Sequence, residues 1–124
     1  MPARVYVVAI SKLQDLKKLI NYDPYLDNAI KDEELAKVRA DEMANVIFAR
    51  QDCQIKEGVA VGLDREKAYL YVNANDEFLE KADKKIKMQI EGAERADPES
   101  EQKVIAQINE ELSKAESGFG SLFG

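Results

Sequence analysis

The sequence predicts an α+β fold, in which a small three-stranded antiparallel sheet is packed by helices in the order β-α-α-β-β-α-α. Runs of β-branched and aromatic residues at 4–10, 59–63 and 68–74 are typical of strands. Rows of apolar residues at intervals of three and four predict the helices. Asp-Pro and Asn-Asp pairs, which are common in the first turn of a helix, mark several helix starts. A C-terminal helical hairpin and a short flexible tail complete the prediction.

The first half of the chain contributes one strand and two main helices. Residues 4–10 are apolar on both faces, which predicts a central, buried strand. Ser11, at capping-box spacing from a glutamine, predicts the N-cap of the first helix. Asp23-Pro24 predicts a short helical turn, and an apolar row from Asp32 predicts one long helix that ends before Gly58. That row consists of Leu35, Val38, Met43, Val46 and Ile47.

The second half contributes the other two strands and the predicted helical hairpin. Residues 59–63 and 68–74 are joined by a polar connector of hairpin length, so they are expected to pair in the sheet. Asn75 predicts the start of the next helix, and Asp97, followed by proline, predicts the start of the last one. Gly118 is a natural residue for ending that helix. The two helices are expected to pack against each other.

The length of the chain limits the number of domains, and its charge limits the kind of partner that is expected. A chain of 124 residues fits one domain over 1–117, with a sheet-containing body at 1–75, an acidic hairpin at 76–117 and a Gly/Phe tail at 118–124. With 24 acidic and 18 basic residues the net charge is −6, which argues against a nucleic-acid or anionic-membrane partner. No apolar run is long enough to span a bilayer, and a lone cysteine forms no internal disulfide. We therefore expect a cytoplasmic protein.

The residue inventory argues against an enzyme. The chain has no histidine, which excludes triad hydrolysis and most catalytic zinc sites, and it has no Gly-rich phosphate loop. Its single cysteine, Cys53, is predicted near a helix C-terminus, a position that disfavours a reactive thiolate. No catalytic residue, metal site or cofactor is predicted. Scattered carboxylates, lysines and tyrosines leave catalysis without histidine as a third alternative.

The leading hypothesis is a protein-interaction or oligomerisation module. The tail places Phe119, Leu122 and Phe123 among glycines, where leaving them in water forgoes about 1.5–3 kcal/mol per side chain. These residues are expected to dock on a protein partner or on the mate in a homodimer, and the alternatives are that they fold back on their own domain or that the tail is frayed. The acidic last helix adds an apolar row that packs either internally or against another subunit. That row contains Ile105, Ile108 and Leu112.

A tyrosine-rich sheet face supports a second hypothesis, a small regulatory or ligand-binding domain. Tyr6, Tyr69 and Tyr71, with Asn73 as the polar group, are predicted either to line a pocket for a planar ligand or to pack beneath a helix. Three lysines share one face of the penultimate helix among interleaved acids, a pattern typical of a solvated surface. These lysines are Lys81, Lys84 and Lys85.

Overall fold

The computed structural model describes residues 2–123, with side chains as far as residue 115. Short 3-10 turns lie at Ile10–Lys12, Pro24–Leu26, Phe48–Arg50 and Gly58–Val61. The strands and helices, in chain order, are β1 (Ala3–Ala9), α1 (Leu13–Asn21), α2 (Asp32–Ala40), β2 (Asp52–Glu57), β3 (Lys67–Asn73), α3 (Asp76–Gln89), β4 (Glu94–Arg95) and α4 (Pro98–Phe123).

The four strands form one antiparallel sheet in the order β2-β3-β1-β4. The long pairing of β1 with β3 makes the centre of the sheet, with Val5 opposite Tyr71 and Tyr6 opposite Leu70. The predicted α+β class and the antiparallel sheet are confirmed. The sheet has four strands in place of the predicted three, because β2 replaces the strand predicted at 59–63 and the two-residue β4 pairs with the free edge of β1.

Helices cover both faces of the sheet. On one face α1 and α3 pack against Tyr6, Leu70 and Val72, and on the other α4 packs against Val5, Tyr69 and Tyr71. The two C-terminal helices, predicted to form a hairpin, therefore lie on opposite faces. The physical reason is that the central strands are apolar on both sides, so each side needs its own helical cover. Gly92, with φ +78°, turns the chain between α3 and β4.

The segment from 41 to 63 departs most from the prediction. Instead of continuing to the residues before Gly58, α2 ends at Ala40, and β2 occupies the end of the predicted long helix. Asp41 Oδ1 accepts a hydrogen bond from the Met43 amide at 2.9 Å, and Asn45 Nδ2 donates to the carbonyl of Val38 at 2.6 Å. Such local side-chain bonds compete with the helical ladder and end the helix. Residues 59–63, predicted as a strand, form a 3-10 turn and the loop after it.

Three of the predicted helix starts are confirmed. Asn75 Oδ1 accepts from the Phe78 amide at 2.8 Å, Asp97 Oδ2 from the Ser100 amide at 3.0 Å, and Asp23 Oδ1 from the amide of the second residue after it, at 3.0 Å. Ser11 is not a cap, because it lies inside the 3-10 turn that precedes α1.

The predicted end of the last helix at Gly118 is wrong, since α4 continues to Phe123. Extending an existing helix needs no new nucleus, and each glycine inside it costs about 1 kcal/mol relative to alanine. The predicted tail, residues 118–124, is therefore continuous with the α4 backbone as far as Phe123.

Candidate functional site

The first half of α4 is fixed to the sheet. Val104 and Ile108 are fully buried against Tyr69 and Tyr71. Glu101 ties the same helix to β1, because its Oε2 accepts a hydrogen bond from the Val5 amide at 3.1 Å. The packed part of α4 is thereby a part of the core.

The second half of α4, residues 109–123, is called distal α4 here, and its described side chains lie outside the core. Every side chain from Asn109 to Ala115 is exposed. Leu112 is 51% exposed, whereas Ile108, one helical turn earlier, is fully buried. At 1.5 Å per residue, distal α4 is about 22 Å long. The described side chains of distal α4, at 109–115, all face solvent.

The residues predicted to bind a partner divide between the core and this surface. Ile108 belongs to the core and Ile105 is partly buried beside it, so neither is open to a partner. Leu112 is the exposed member of the row. The side chains of Phe119, Leu122 and Phe123 lie outside the described residues.

The acids beside Leu112 are neutralised within the same chain. Lys56 Nζ on β2 donates to Glu111 Oε2 at 2.6 Å, and Lys114 lies 3.0 Å from Glu110. The hydrogen bond from Lys56, followed by one from Gln107, lowers the pKa of Glu111. The described part of distal α4 therefore carries little uncompensated charge despite the acidity of the helix.

The structure does not bring the four residues of the predicted tyrosine site together. Tyr69 and Tyr71 are buried beneath α4, on the same face as Asn73, and burial is the main cause that raises the pKa of each phenol. Tyr6 points to the opposite face, in the core beneath α1 and α3. Alternation along β1 explains the separation, because Tyr6 is paired with Leu70 and shares its face.

A cleft of about 670 Å³ lies on the α1 and α3 side of the molecule. Its wall residues come from α1, the turn at Pro24–Leu26, α2, the segment before Phe48 and the end of α3. These residues are far apart in sequence. The apolar pattern of any one helix or strand therefore does not indicate the cleft. Lys85, one of the three lysines predicted to share a solvated face, also lines the cleft.

The remaining candidates for chemistry are the Cys53 thiol and the side chains that could bind a metal ion. Burial, with a smaller contribution from Asp52, raises the pKa of the Cys53 thiol to about 12, and Sγ donates to the Phe48 carbonyl at 3.5 Å. Among the described residues no three His, Cys, Asp or Glu side chains are grouped closely enough to hold a metal ion. In that same part of the chain no helix combines the length and apolarity needed to cross a membrane.

Comparison with protein-family models, with curated proteins and with solved structures found no match.

Proposed function

We propose that this protein is a non-enzymatic interaction module that self-associates through distal α4. The observation that supports the proposal most strongly is the change of environment along one helix. Ile108 is fully buried, Leu112 is half exposed, and the described side chains beyond it are exposed although the helix continues. An apolar row that leaves its own core gains free energy by packing on another chain.

The spacing of the row indicates what would cover it. Counting along α4, apolar residues recur at alternating intervals of three and four, which is the heptad pattern of two helices packed side by side. The row begins inside the core and continues into distal α4. It consists of Ile105, Ile108, Leu112, Ala115, Phe119 and Leu122.

We infer that the covering helix belongs to a second copy of the chain. A basic partner would need unpaired acids beside the row, and Glu110 and Glu111 are already bonded to Lys114 and Lys56. The same pairing reduces the repulsion between two acidic helices brought together. A cytoplasmic location fits this proposal, since helix packing of this kind needs no disulfide.

The proposal is tested by the sedimentation velocity of the full chain between about 1 and 200 µM, a range that covers weak to moderate association. We expect the weight-average mass to rise from monomer toward dimer. Leu112→Ser should shift the curve to higher concentration. The matched control is Leu26→Ser, which removes an even more exposed leucine, at 78%, from the turn after α1.

Three outcomes would contradict self-association through distal α4. The first is a wild-type chain that stays monomeric over the whole range, and the second is an equal effect of Leu112→Ser and Leu26→Ser. The third is self-association that persists unchanged when Leu112, Phe119 and Leu122 are all replaced by serine. Thermal unfolding of each variant shows whether it remains folded.

A further inference from the structure

The 670 Å³ cleft combines an apolar floor with basic groups at its side. Leu19 from α1, Ile47 from the segment before Phe48, and Ile90 just after α3 are buried side chains that line it. The volume falls in the range of cavities that hold small molecules, about 300–1,000 Å³. Ordered apolar side chains that line an open cavity of this size offer contact area to a hydrocarbon or aromatic group.

Two lysines line the cleft beside this floor. Neither Lys85, on α3, nor Lys18, on α1, forms an ion pair in the part of the chain that the structure describes. By contrast, Lys81, one turn before Lys85, pairs with both Glu42 and Glu77. The predicted solvated row of lysines is thus divided between a paired surface residue and a residue that lines the cleft.

Lys85 is held in place for binding. Its Nζ donates to the Val46 carbonyl at 2.7 Å, which uses one of three ammonium hydrogens and leaves two for a ligand. Its side chain is half-buried, and this burial lowers its pKa while the charge of Asp41 acts in the opposite direction. Because Lys85 is partly desolvated, an anion that reaches it forms a stronger bond than it would at a fully hydrated lysine.

The other polar groups of the cleft limit the ligand further. Asp15 is the acid among the described lining residues, against two lysines, and the charge of Asp41 also acts on Lys85, so the site favours a single negative charge over a dianion. The hydroxyl of Tyr22 already donates to Asp27 at 2.9 Å. Arginine and glycine, the residues that usually cradle a phosphate, do not occur among the described residues of the lining.

We propose that this cleft binds a small amphipathic carboxylate, with its apolar body on Leu19, Ile47 and Ile90 and its carboxylate on Lys85 and Lys18. The site is on the face of the sheet opposite α4. It is therefore independent of self-association, and each proposal fails or stands without the other.

The test uses anilinonaphthalene sulfonate, whose fluorescence reports binding and which combines an aromatic body with one negative charge. Its uncharged analogue, N-phenyl-1-naphthylamine, has the same body without the sulfonate. We expect saturable binding of the sulfonate at one site per chain and its displacement by decanoate. Lys85→Gln should weaken sulfonate binding by about ten- to hundredfold, as expected for loss of a charge-assisted hydrogen bond. It should leave binding of the uncharged analogue nearly unchanged.

Two further variants make the result specific to the cleft. Lys84→Gln removes the neighbouring exposed lysine of α3, which does not line the cleft, and should have no effect. Ala44→Phe adds a ring to the cleft wall and should weaken binding of both dyes. The proposal is overturned by absence of binding, by failure of decanoate to compete, by equal effects of the two lysine variants, or by dye binding that Ala44→Phe leaves unchanged. Near-ultraviolet circular dichroism confirms that each variant retains its packing.

Discussion

Replacing Tyr6 by phenylalanine should leave the protein at least as stable at pH 7, contrary to the usual result for a buried tyrosine. The ring is fully buried at the centre of the sheet, and no polar atom of the described residues lies in hydrogen-bond geometry with its hydroxyl. A buried hydroxyl without a partner costs about 1–3 kcal/mol. Removing it while keeping the ring should therefore raise the free energy of unfolding by about 1 kcal/mol.

The same phenol should make the protein less stable at high pH. Burial, followed by the charge of Asp83, raises the pKa of Tyr6 from 10.0 to about 12, while Arg4 acts in the opposite direction. The folded chain then holds the phenolic proton more tightly than the unfolded chain, so this contribution is complete below pH 10 and is lost as the pH rises through 12. At pH 11 the loss is on the order of 1 kcal/mol, and Tyr6→Phe does not suffer it.

The assay is urea unfolding of the two proteins at pH 7 and pH 11, followed by far-ultraviolet circular dichroism. The stability advantage of Tyr6→Phe should widen between the two pH values by on the order of 1 kcal/mol, while the slope of the unfolding free energy against urea concentration stays the same. A loss of stability at pH 7 would show that the hydroxyl is hydrogen-bonded, with Arg4 as the neighbouring donor. An advantage that does not change with pH would refute the raised pKa.

Three further substitutions and one chemical reaction test the packing. Ile108→Ala, in the core beneath α4, should lower the free energy of unfolding by about 2–5 kcal/mol, whereas Leu112→Ala, at a half-exposed site, should lower it by about 1 kcal/mol or less in denaturant titrations of the monomer. Gly58→Ala should be strongly destabilising in the same titration, because its Cβ would lie 1.8 Å from the carbonyl oxygen of Asp64. Cys53 should react with iodoacetamide at pH 8 far more slowly than in urea, since its pKa is raised to about 12; equal rates would contradict its burial.

Elements with strong local signals were predictable from sequence. β1 and β3 are apolar on both faces, as central strands must be, and their predicted positions are confirmed. Asn75 and Asp97 form the bonds that their side-chain chemistry suggests at a helix start. These features depend on neighbours within a few residues, so a sequence contains the information directly.

Elements whose identity depends on distant contacts were not predictable. β2 has the sequence DCQIKE, is half exposed along most of its length, and becomes a strand by pairing with β3. β4 is two residues long. The apolar row from Leu35 to Ile47 fits a helix, but Asp41 and Asn45 end α2 by local hydrogen bonds. Which face of the sheet a helix covers likewise depends on contacts with the assembled sheet.

The candidate sites show the same division. The apolar row of α4 was visible from its spacing, but whether Ile108 or Leu112 is exposed depends on where the sheet ends beneath the helix. The prediction of a tyrosine site is wrong because Tyr6 and Tyr69 lie on opposite faces of the sheet. The cleft could not be predicted at all, since its lining is assembled from five separate segments.

Amide hydrogen exchange of the unmodified full chain, compared at low and high protein concentration, tests the central claim most directly. Self-association through distal α4 predicts that amides of residues 109–123 exchange more slowly at the high concentration, while those of the sheet do not change. Equal exchange of distal α4 at both concentrations, or protection confined to another element, would contradict the proposed function.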